Sequence, residues 1–106
     1  MAKNEIRIND IGTKFLITIK DNESVVDISG TGSDAENKRI IFKKPSDSQL
    51  DKPASFNSDG TDGKLYYTTE SGDLDEDGIW KLQSKVIIGS QTFHYDIHTF
   101  KVHRNL

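Results

Sequence analysis

The chain has 106 residues, of which 33% are hydrophobic and 29% charged, and a formal net charge of −3. That length supports one domain around one core, and the charge offers no basic excess for a phosphate backbone, so nucleic-acid binding is not expected. The absence of cysteine excludes disulfides, thiolate nucleophiles and Cys-ligated zinc, and suits folding in a reducing cytoplasm. MAKNEIRIND has no apolar h-region, so no signal peptide is expected, and no stretch approaches the roughly 20 apolar residues of a membrane span.

Taken in chain order, the apolar residues recur with period two, the mark of half-buried strands. KFLITIK places Phe15, Ile17 and Ile19 on one face, with Lys14, Thr18 and Lys20 around the other. SVVDIS offers a β-branched run over Val25 to Ile28, and RIIFKK sets Ile40 and Phe42 against Arg39 and Lys43. KLYYTT pairs Leu65 with Tyr67, and IWKLQSKVII sets Trp80, Leu82 and Val86 against Lys81, Gln83 and Lys85. TFHYDIHTFKVHR alternates Phe93, Tyr95 and Ile97, then changes phase to Phe100 and Val102, which predicts a bulge or bend. Turn residues separate these runs, and the one short helical candidate is Ser33 to Asn37. The expected architecture is all-β: an immunoglobulin-like antiparallel β-sandwich of seven to eight short strands, one domain over 1–106 with its core over 11–102.

GDLDEDGIW (Gly72 to Trp80) raises the first chemical question, because Asp73, Asp75, Asp77 and Gly78 have the spacing that opens a calcium loop. Position 12 of such a loop, where a bidentate Glu belongs, is Ser84, in a strand pattern with no flanking helix. The three aspartates are therefore metal candidates in a foreign context. The alternative is a solvated polar corner from which Gly78 releases a strand carrying an inward Trp80 and, two residues on, Leu82. HYDIH sets His94, Asp96 and His98 on one face of a strand, an imidazole–carboxylate combination that suits zinc or iron. Residues i and i+4 on a regular strand lie about 13 Å apart at ~3.3 Å per residue, too far to share an ion without a sharp bend. Lys43 and Lys44 beside Arg39 read as a solvated strand edge. Tyr66, Tyr67, Trp80, Phe93 and Tyr95 are core candidates, with Tyr66 the one to place outside as an interface anchor. No catalytic group and no cofactor is expected.

The order of pieces carries a resemblance. Asp21, then Val26-Asp27-Ile28-Ser29-Gly30, Pro45 and Asp47, Asp59-Gly60 with Gly63, Tyr67-Thr68, Gly72-Asp73-Leu74-Asp75 with Gly78 and Trp80, and a closing Thr99-Phe100 with Val102 together resemble the N-terminal domain of phage baseplate upper proteins. The match spans roughly 11–102, departing where Pro45-Ser46-Asp47-Ser48 lacks a Gly after Asp47 and where TGSDAENK lengthens the loop after Gly30.

The resemblance implies an immunoglobulin-like domain of the tail, baseplate or head–tail region, assembled in the bacterial host cytoplasm and located in the virion. Its partners would be other virion proteins and further copies of itself in a homo-oligomer, with no membrane insertion. NEIRIN and FKVHRNL are the expected contact elements, provided they do not pair with each other. The other reading is a carbohydrate- or receptor-binding module with exposed aromatics and a calcium-assisted acidic loop. Phe15, Ile17, Ile40, Phe42, Tyr67, Gly78, Trp80, Leu82 and Phe100 are the residues expected to hold the fold.

Overall fold

The computed structural model describes residues 5–21, 24–31 and 35–105, without the side chains of Ala35 and Asp96. Ten strands form among them: β1 (Ile6–Arg7), β2 (Lys14–Thr18), β3 (Lys20–Asp21), β4 (Ser24–Val25), β5 (Lys38–Lys43), β6 (Gln49–Pro53), β7 (Ser55–Phe56), β8 (Lys64–Thr68), β9 (Gly78–Ile88) and β10 (Gln91–His103). The all-β expectation is met. The strand number exceeds the expected seven to eight because β1, β3, β4 and β7 have two residues each, too few to show an alternation of their own. Of the short helix expected over 33–37, Ala35–Asn37 forms a single 3₁₀ turn, and 33 and 34 lie outside the described residues.

Three sheets result. The largest has the order β1-β10-β9-β5-β6; a second has β2-β8-β7; β3 and β4 form a small hairpin. All neighbours are antiparallel except β1, which runs parallel to β10 with Ile6 beside Val102 and Arg7 beside His103. The two ends of the chain therefore pair with each other. The condition set for NEIRIN and FKVHRNL as contact elements, that they not pair with each other, is not met: the backbone groups of Val102 and His103 are already engaged within the chain, and Ile8 N–H adds a 2.8 Å bond to the His103 carbonyl, with β1 the outer strand of the sheet. Asn4 of NEIRIN and Leu106 lie outside the described residues.

One core cluster draws on both larger sheets. Ile17, Leu65 and Tyr67 come from the three-stranded sheet, and Ile40, Phe42, Trp80, Leu82, Val86 and Val102 from the five-stranded one. Phe42 is the hub of an aromatic cluster, with centroid distances of 5.3 Å to Phe15, 6.0 Å to Tyr67, 6.2 Å to Phe100 and 6.4 Å to Trp80. Edge-to-face contacts of this kind add to the apolar burial because a ring's positive rim meets its neighbour's negative face. SVVDIS departs from the strand expected of it, since β4 ends at Val25 and one further bond, Val26 N–H to the Ile19 carbonyl at 3.0 Å, closes the pairing. Ile28 nonetheless plugs the core from an irregular segment, held by its N–H on the Gly60 carbonyl at 2.9 Å. Phe93 and Tyr95 are not core residues: Phe93 is exposed, and Tyr95 packs only against the core's margin.

Two glycines are required by geometry. At Gly63, φ is +69° and an added Cβ would sit 2.7 Å from the Val26 carbonyl oxygen, a backbone atom with no room to yield. At Gly78, φ is +128° where the chain leaves the acidic corner, and a Cβ would meet Pro45 Cγ at 2.9 Å. Where Pro45-Ser46-Asp47-Ser48 lacks a glycine, Asp47 itself takes the positive φ of 73°, a conformation that Asp tolerates through its short polar side chain.

Candidate functional site

The acidic corner between β8 and β9 is built around one carboxylate. Asp73 is 4% exposed. Its Oδ2 accepts the Tyr67 hydroxyl and, at 2.8 Å, the Glu70 N–H; its Oδ1 lies 3.3 Å from Lys52 Nζ on β6. Burial pushes this carboxyl up, but the Glu70 N–H, the Tyr67 hydroxyl and the Lys52 ammonium together hold it below the ordinary 3.8. Burial, and next the Asp73 carboxylate, push the Tyr67 phenol well up, so it remains a donor. The corner is thus not a uniformly solvated turn as its composition suggests. One of its acids has turned inward and ties β6 and β8 to the segment that feeds β9.

The other two metal candidates point elsewhere. Asp75 pairs with Lys44 at 2.8 Å. Asp77 is exposed and shares a shallow depression with Arg7, Lys101 and Arg104. Glu76 accepts Ser46 Oγ at 2.7 Å, and its carbonyl takes the Trp80 indole N–H at 3.0 Å. Among the described residues no group of three His, Asp or Glu side chains converges on a common point. The expected response to calcium follows. A site with the ~10⁻⁴–10⁻³ M affinity of extracellular modules would add roughly 1.4–2.7 kcal/mol of stability at ~10 mM calcium. The expected melting temperature is instead the same in ~10 mM calcium and in chelator; a rise of several degrees would show that the corner rearranges around an ion.

The histidine strand contains the expected bulge, but it lies between His94 and Ile97, ahead of the phase change read between Ile97 and Phe100. Before it His94 stands opposite Lys85; after it His98 stands opposite Leu82, the inward residue of β9. Because directly opposed residues share a sheet face, the extra residue puts the two imidazoles on opposite faces. This corrects the placement of His94 and His98 on one face: the bulge that was to bring them together is what separates them. The side chain of Asp96 lies outside the described residues.

Lys43 and Lys44 are also placed differently from expectation. They do not mark a sheet edge, since β5 lies between β9 and β6, and Lys44 is half-buried against Asp75, 5.9 Å from the Trp80 ring centroid. Tyr66 is half-buried, with Lys14 Nζ 4.6 Å from its ring centroid. Residues that the sequence reading passed over are Lys52 and Lys38. Lys38 is buried at the start of β5, its Nζ 4.6 Å from the Phe56 ring centroid. The one signal for Lys52 is the alternation in QLDKP, which puts it on the face of Leu50. No protein-family model matches this chain, and no curated protein matches it significantly.

Proposed function

We propose that this chain is a structural, non-catalytic virion protein of a phage tail, baseplate or head–tail region. On this reading its two larger sheets make an immunoglobulin-like sandwich that works by contacts with other proteins in a symmetric assembly. The observation that carries the reading is what the acids of the phage-like pattern do. Asp27 Oδ1 accepts the Ser29 N–H at 2.9 Å, Asp59 Oδ1 accepts the Thr61 N–H at 3.0 Å, and Asp73 holds Tyr67 and the Glu70 N–H. Each is engaged in holding a turn or a corner, which is the work of a scaffold. What such a scaffold offers a partner is the outer faces of its sheets. Mass spectrometry of particles produced by the encoding genome tests this: the chain is expected at a fixed ratio to the tail or head proteins. Its absence from purified particles would overturn the proposal.

A further inference from the structure

The net charge of −3 conceals a basic face. Register creates it: Lys43 on β5 stands directly opposite Lys81 on β9, Arg39 stands opposite Lys85, and Lys101 on β10 stands opposite the exposed Ile79. Ile40, Phe42, Trp80 and Leu82 occupy the inner side of these strands, so the alternating cations share the outer side. Arg39, Lys43, Lys81, Lys85 and Lys101 are five of the chain's 14 cationic residues. Like charges directly opposed on neighbouring strands are destabilising. Acids relieve part of this: Asp51 and Glu36 pair with Arg39, and Asp47 lies 3.7 Å from Lys43. Among the described residues no acid pairs with Lys81, Lys85 or Lys101. Between the cations runs a cross-strand row of Ile41, Gln83 and Ile97, the last 61% exposed.

We propose that this outer face of the five-stranded sheet docks on the acidic loop edge of a second copy of the chain. That edge is built from loops outside the five-stranded sheet. The Ile28 N–H bond to the Gly60 carbonyl brings the loop of Asp27 against the β7–β8 loop of Asp59 and Asp62. Asp27 and Asp59 are exposed, and all three aspartates accept bonds from the backbone N–H groups of their own turns. Charge complementarity supports this: one molecule carries a basic face that acids compensate only in part and, on loops outside that sheet, a carboxylate cluster. Exposed isoleucines among the lysines provide apolar area for a folded partner, whereas a phosphate polymer is held by charge alone. Because the two patches differ, the contact is heterologous. Copies add head to tail and either close into a ring or stack. The inference rests on the reading that the chain works through protein contacts.

Sedimentation velocity tests it. At ~20 mM salt the wild type is expected to form concentration-dependent oligomers that dissociate at ~500 mM, where screening shortens the reach of exposed charges to a few ångströms. K81E/K85E, and separately D27N/D59N/D62N, are expected to weaken association at least about tenfold with unchanged circular dichroism. The Asn variants retain the turn-holding oxygen, and K81A/K85A replaces the reversal if that variant fails to fold. A wild type that stays monomeric at ~20 mM salt, an oligomer indifferent to both sets of substitutions, or a monomer retained on duplex DNA through the same lysines each overturns the docking. A monomeric chain found in particles overturns the docking and leaves the virion reading standing. A salt-sensitive oligomer that is absent from particles does the reverse.

Discussion

Phe42→Ala is expected to remove about 3–5 kcal/mol of stability, a large part of the roughly 5–15 kcal/mol available to a domain. Phe42 is 1% exposed and touches Phe15, Tyr67, Trp80 and Phe100. Truncation therefore loses the buried ring and leaves a cavity that four other rings border. Those rings come from four different strands, β2, β8, β9 and β10, and cannot collapse inward together without shifting both larger sheets. Urea denaturation provides the measurement. The midpoint should fall sharply with an unchanged slope, and Ile79→Ala, an exposed truncation on the same sheet, should stay within about 0.5 kcal/mol. A Phe42→Ala loss below about 1 kcal/mol would mean that the two sheets do not close on this ring.

Asp73 is expected to produce the second largest effect, with a dependence on pH. Asp73→Ala leaves the Tyr67 hydroxyl, the Glu70 N–H and Lys52 without their partner and should cost about 3–5 kcal/mol. Asp73→Asn keeps an acceptor for Tyr67 but loses the ion pair with Lys52, and should cost less. The sign of the pH dependence follows from the depressed carboxyl. The folded state holds Asp73 below 3.8, so on acidification the unfolded chain binds this proton first. The contribution of Asp73 is then fully present above about pH 5. It is lost as the pH falls through 3.8 towards the folded-state value. One such group contributes a slope of at most about 1.4 kcal/mol per pH unit. The Asn variant should therefore flatten the acid limb of the stability–pH curve relative to wild type. Asp27 and Asp59 act in the same direction, each lowered first by a side-chain hydroxyl, Ser29 and Thr61 respectively, and then by the N–H of that residue. An acid limb identical in wild type and Asp73→Asn would show that the carboxyl titrates alike in both states.

The alternating strands were legible because the signal is local. Side chains on a strand point alternately to opposite faces, so Ile40 and Phe42, Leu65 and Tyr67, and Trp80 and Leu82 declare their inward side without knowledge of what they face. All six are buried. Gly78 was legible for the same reason, since a glycine after an acidic turn marks a conformation the backbone itself requires. The bulge in β10 was legible as a slip of phase, but its consequence for the histidines was not. Which residues straddle an inserted position depends on the register with β9, and register is a relation between two strands.

The sequence by itself determined that this chain is built of strands, which residues of β2, β5, β8 and β9 turn inward, and which glycines and aspartates shape the turns, because φ preferences and a two-residue period are properties of neighbours along the chain. Only the tertiary structure decided that Asp73, alone of the three corner aspartates, is buried against Tyr67 and Lys52, and that β1 closes on β10. It also decided that lysines scattered between positions 43 and 101 collect on one side of one sheet. These are outcomes of which distant strands pair and in what register, and that choice is made by the whole core at once, where no single segment carries it.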